Sequence, residues 1–168
     1  LFQGVTTELI GNCGTSPAPV GMHLKGRMQE LAAQIGFNFD WLSLSEYFAL
    51  LQERGVPINL ATLVGHSTLR AGSVQDWEGI QKVELEEMCQ VLEGAMAEGA
   101  FGLSSGLIYP PGCFAETEEI VELARVAAAR GGFYASHIRD ERDRLEEAVE
   151  EASHIGHAAG IRVLISHL

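Results

Sequence analysis

The chain lacks most of what would tie it to a membrane, a secretory route or a nucleic acid. Its 168 residues contain no apolar run approaching the ~20 needed to span a bilayer, and no basic flank followed by an apolar signal core at the amino terminus. Lys and Arg number only 11 against 23 Asp and Glu, a formal charge of −12, so the clustered cations that bind a phosphate backbone are missing. The three cysteines, Cys13, Cys89 and Cys113, cannot all pair and none stands in a C-x-x-C spacing. They read as thiols of a reducing compartment. There is no linker, no low-complexity segment and no H-x-H pair. These absences predict a soluble, cytoplasmic protein with no nucleic-acid partner and no membrane contact.

What is present is helical periodicity. Leu85, Met88, Cys89, Leu92, Ala95 and Met96 advance by three and four, which gathers them on one face of a helix over 84–98. Ile120, Leu123, Ala124 and Ala127 do the same within 117–130, and Leu145, Ala148, Val149, Ala152 and Ile155 within 143–159. The acidic stretches "VELEEMCQ", "AETEEIVE" and "DRLEEAVEEA" are then the solvated faces of these helices. Ser43 and Glu46 have capping-box spacing ahead of Tyr47, Phe48, Leu50 and Leu51, which predicts a fourth helix. A short fifth fits 24–35.

Gly55, Gly99, Gly131 and Gly160 fall where the four firm helices should stop, and a strand-like run follows each. The runs are "VPINLATLVGH", "AFGLSSGLIY", "GFYASHIR" and "IRVLISHL", with "GVTTELIGNC" as a fifth at the amino terminus. Strand, helix and glycine recurring in this way predict βα units and an α/β fold with a parallel sheet.

In such folds chemistry gathers at the carboxyl ends of the strands, and Cys13, His66, His137 and His167 all lie there. "ASHI" and "ISHL" set His137 and His167 at matching positions of consecutive strands, thirty residues apart, so both should face one mouth. A thiolate and two imidazoles make a tetrahedral zinc site short of one ligand, the open position a catalytic metal keeps for water. Gly11 and Gly14 would let the backbone turn sharply around Cys13.

Blander roles stand beside this. A Cys at a strand end is often a small buried hydrophobe, which suits Cys89 and Cys113 as well. His154 and His157 lie in the last turns of a helix, where a cation suits the dipole. His23 falls in a loop and carries no signal. His66 ends its strand in "LVGHS" and is a candidate for substrate contact rather than for metal. Arg139 and Glu141 read as a structural ion pair near the rim.

Taken in order, "GVTTELIGNCGTSPAP", "GHSTLR", "GAFGLSSGLIYPPG", "YASHIRDE" and "ISHL" resemble the N-acyl-D-amino-acid deacylases (D-aminoacylases) of the amidohydrolase superfamily, from end to end of the chain. The resemblance implies a zinc-dependent enzyme on a distorted (β/α)8 TIM-like barrel that hydrolyses the amide of N-acyl-D-amino acids. It implies Cys13, His137 and His167 as ligands of the tightly held Zn2+, and not His66. It also implies an H-x-H pair on the first strand and a catalytic Asp on the eighth, neither of which has a counterpart here. Residues 1–168 are therefore expected to be the central segment of the barrel, strands two to six, and inactive alone. Tyr109, in the loop after "GLSSGL", is the local candidate for a substrate hydrogen bond. Another amidohydrolase reaction, such as ring opening of a cyclic amide or imide, would use the same metal core, and a non-catalytic metal-binding segment remains the third reading.

Overall fold

The computed structural model describes residues 2–76 and 79–168. The elements run β1 (Thr7–Ile10), α1 (Met22–Gln34), α2 (Leu44–Arg54), β2 (Asn59–Thr62), β3 (Val64–Gly65), α3 (His66–Ser73), α4 (Lys82–Ala97), β4 (Gly102–Gly106), α5 (Thr117–Ala129), β5 (Phe133–His137), α6 (Leu145–Ala159) and β6 (Arg162–Ile165). Every strand pairing is parallel: β1 with β2, then β3, β4, β5 and β6 side by side in chain order.

The single strand expected over "VPINLATLVGH" is broken at Leu63 into β2 and β3. The break is local. Leu63 N still donates to Ile10 O at 2.9 Å, and Thr62 O still accepts from Phe101 N at 2.9 Å, so this part of the chain bonds to both neighbours. Parallel strands in chain order with helices between them are the α/β arrangement of part of a (β/α)8 barrel.

The helices form for the reasons their sequences give. Ser43 Oγ accepts from Glu46 N at 3.1 Å and Glu46 Oε2 accepts from Ser43 N at 3.0 Å, closing the capping box of α2. On α4 the face carrying Met88, Leu92, Ala95 and Met96 is buried, and Leu85 and Cys89 pack at its margin. Leu103 of β4, Leu123 of α5 and Ile155 of α6 are fully buried in the same core. Each such side chain contributes roughly 1.5–3 kcal/mol through removal from water. Gly160 ends α6 in the left-handed conformation, as a helix stop should. Among the described residues no helix is long and apolar enough to cross a membrane.

Two further features depart from expectation. A helix, α3, starts at His66 directly from β3, where the sequence suggested only a strand end. His23 lies in the first turn of α1 rather than in a loop.

Candidate metal centre

Three strand ends supply the cluster. Cys13 follows β1 within the "GNCG" turn, His137 is the last residue of β5, and His167 stands two residues beyond β6. Gly11 and Gly14 take φ of +83° and +77°, and a Cβ on Gly11 would sit 2.2 Å from Leu63 O. Only glycine fits so tight a turn against the neighbouring backbone. Cys13 itself has φ +53° and His167 φ +33°, and among the described residues they are the only non-glycines in the left-handed region. That conformation costs a residue bearing a Cβ about 1–2 kcal/mol, so the surrounding contacts must hold it.

His137 and His167 are not level in the sheet. Ser136 pairs with Ile165, which puts His137 opposite Ser166 and His167 one residue further along. The left-handed turn at His167 takes up this stagger and returns its ring to its neighbour. His167 Nε2 lies 2.7 Å from His137 Nδ1 and 3.5 Å from Cys13 Sγ, and all three donor atoms fall within 4.8 Å of one another. The rings meet edge to face, with centroids 4.6 Å apart.

The donor types suit a tetrahedral zinc, and the 2.7 Å between the two ring nitrogens, shorter than the roughly 3.3 Å edge of such a site, means that the rings would part slightly to take the ion. From ordinary Zn–S and Zn–N bond lengths, the S···N edge of such a site is about 3.5 Å; the Cys13–His167 separation is 3.5 Å. Burial lowers the His137 pKa and His167 lowers it further, outweighing Glu141, so the ring is neutral at neutral pH, as a ligand must be. Burial and the Glu141 carboxylate push the Cys13 thiol up. A cation beside the sulfur reverses that preference and draws out the thiolate.

His137 is only 4 % exposed, and its Nε2 has no hydrogen-bond partner. Glu141 Oε1 comes within 3.3 Å of it, but outside hydrogen-bond geometry. Tyr109 packs edge-on against His137, with its hydroxyl 3.5 Å from Nδ1 and its side chain partly open to solvent.

Glu141 therefore leans toward His137 and does not pair with Arg139 as the sequence suggested. Arg139 is bound instead to Glu151 at 2.8–2.9 Å and to the carbonyls of Cys113 and Ala115. Glu151 is twelve residues along and on α6, a partner that only the tertiary fold brings near.

His66, the sequence's candidate for substrate contact, lies inside the fold. It is fully buried, with Nε2 2.7 Å from Glu119 Oε1, and Arg70 Nη1 donates to Glu119 Oε2. The His66 ring is tied through Nε2 to Glu119 in the first turn of α5 and has no exposed surface, while its Nδ1 has no hydrogen-bond partner. Burial raises the Glu119 pKa, but the His66 and Arg70 bonds and charges outweigh it and hold the carboxyl below its usual value.

The chain is a parallel α/β segment with a thiol and two imidazoles at its strand ends, where (β/α)8 barrels keep their chemistry. No protein-family model matches the chain. It is 40% identical over 168 residues to a D-aminoacylase of Alcaligenes xylosoxydans xylosoxydans, covering 99% of this chain and 34% of that protein. It superposes on a crystal structure of D-aminoacylase, described as defining a novel subset of amidohydrolases, with TM-score 0.87 and 39% identity over 98% of this chain and 35% of that one. The same TM-score, 0.87, and 40% identity over 98% and 35% hold for the N-acyl-D-glutamate deacylase of Bordetella bronchiseptica, solved with zinc and a phosphonate mimic of the tetrahedral intermediate. The chain is related over its whole length to the N-acyl-D-amino-acid deacylases, as its motifs suggested, and spans about a third of the length of the relatives it matches.

Proposed function

We propose that the whole protein hydrolyses the amide bond of N-acyl-D-amino acids with zinc, giving a carboxylate and a free D-amino acid. This chain would supply strands two to six of its (β/α)8 barrel and three metal ligands, Cys13, His137 and His167. The observation that carries the reading is the convergence of one thiol and two imidazoles, from three separate strand ends, within 4.8 Å. Zinc held there supplies a Lewis acid for the acyl carbonyl and a water whose pKa falls to ~7.

The chain's own residues do the rest of the binding. His137, kept neutral by burial and by His167, offers a ring lone pair without first losing a proton. We assign Tyr109 to a substrate hydrogen bond; a hydroxyl 3.5 Å from His137 Nδ1, on a side chain 48% exposed, supports this. Proton transfer to the leaving amine is assigned to an Asp outside this chain. The three free thiols support a reducing, cytoplasmic setting, and the charge of −12 supports a small-molecule rather than a nucleic-acid partner.

The test is hydrolysis of N-acetyl-D- and N-acetyl-L-amino acids by the whole protein. D-selective turnover that a chelator removes and zinc restores is expected. Metal-dependent opening of cyclic imides, with no deacylation, would favour the other amidohydrolase reading.

A further inference from the structure

Each of the three donors is preceded by a polar residue, and those residues are joined. Asn12 stands before Cys13, Ser166 before His167 and Ser136 before His137. Asn12 Nδ2 donates to Ser166 Oγ at 3.1 Å, and the same hydroxyl faces Asn12 Oδ1 at 3.2 Å. Ser166 N donates to Ser136 O at 2.9 Å, extending the β5–β6 ladder by one step. A single polar link therefore spans 154 residues of sequence and connects the backbone positions from which all three donors depart.

Beneath it, Ser104 of β4 holds the turn that carries the sulfur. Its hydroxyl donates to Gly11 O at 2.5 Å and accepts from Gly14 N at 3.1 Å, pinning both ends of the "GNCG" turn. Ser104 is fully buried and Ser166 nearly so. Their bonds therefore meet little competition from water.

The link acts where the backbone most needs holding. Cys13 and His167 both occupy left-handed conformations that disfavour a residue with a Cβ. Released, each would relax toward ordinary backbone angles and carry its donor away from the other. The Asn12–Ser166 pair ties the two positions together immediately before those turns. We propose that Asn12 and Ser166 are positioning residues: their side-chain pair fixes the spacing of Cys13 Sγ and His167 Nε2, and so sets the affinity for a tetrahedral divalent metal. The proposal rests on the reading of Cys13, His137 and His167 as a metal centre.

Cobalt(II) titration of the whole protein, followed by its visible spectrum, tests it. In the unaltered protein a thiolate-to-cobalt charge-transfer band is expected, and it should vanish in Cys13→Ala. If the band is missing, or survives in Cys13→Ala, the metal reading itself is overturned and the proposal goes with it. If that control holds, Asn12→Ala and Ser166→Ala are each expected to weaken cobalt affinity by ~10- to 100-fold, as loss of a group orienting a ligand does. The double variant should be no weaker than either single, because the two residues make one link. Ser166→Thr and Ser166→Val provide a pair of equal bulk that shares any cost of fitting the extra methyl. Thr keeps the hydroxyl and should bind cobalt at least ~10-fold more tightly than Val. Equal affinities in that pair, or single effects that multiply in the double variant, would overturn the positioning role.

Discussion

His66 and His137 leave their strands at the same end of the sheet, and the structure uses them in opposite ways. His66 is fully buried and closed off by Glu119, which Arg70 also holds. His137 sits at the mouth with Nδ1 against His167, Nε2 without a hydrogen-bond partner, and Cys13 within reach. A strand-end histidine is thus not by itself a sign of chemistry. Each ring keeps one buried nitrogen without a hydrogen-bond partner, so what separates the two is the neighbour of the other nitrogen: a buried carboxylate at His66, and at His137 a second imidazole and a thiol converging on a point that a cation can fill.

The comparison breaks most visibly at the sulfur. Cys13→Ala is expected to remove stoichiometric zinc from the whole protein and lower deacylase kcat/KM by ~10³-fold or more. Cys89→Ala, at the margin of the α4 core face, should cost about 1 kcal/mol of packing and leave zinc in place. Metal analysis and turnover on both variants check this; zinc retained in Cys13→Ala would erase the distinction.

Glu119→Ala should do the converse. It removes the buried carboxylate that accepts from both His66 and Arg70, so a loss of roughly 1–3 kcal/mol in unfolding free energy is expected with zinc stoichiometry unchanged. Denaturant unfolding read beside zinc content measures both halves. A variant of normal stability that had lost its metal would mean that the His66 cluster serves the site and not the fold.

That division was only partly legible in the sequence. The capping box at Ser43 and Glu46, the buried face of α4 and the glycine stops depend on nearest neighbours along the chain, and all appear in the fold. Cys13, His137 and His167 could be singled out because glycines flank the thiol and "ASH" and "ISH" repeat after strand-like runs. Helix α3 was hidden: it has eight residues, too few for periodicity to show, and follows an apolar strand without a break. The fate of His66 depended on that helix and on Glu119, fifty-three residues away. The one-residue stagger of His167 was hidden too, because matching motifs do not fix pairing register.

A smaller effect sharpens the same contrast by pH. The folded-state pKa of Glu119 is lowered from 4.5, so its contribution to stability is fully present above that value and is lost as pH falls through the folded pKa. Urea midpoints measured downward from pH 5 should therefore fall more steeply in the unaltered protein than in Glu119→Gln. Parallel curves would show that Glu119 takes no part in the acid response.

Zinc content across three single variants of the whole protein, His66→Ala, His137→Ala and His167→Ala, tests the central claim most directly. His66→Ala should retain stoichiometric zinc even if it is less stable, whereas His137→Ala and His167→Ala should lose it. Zinc lost in His66→Ala and kept in either of the other two would contradict the account.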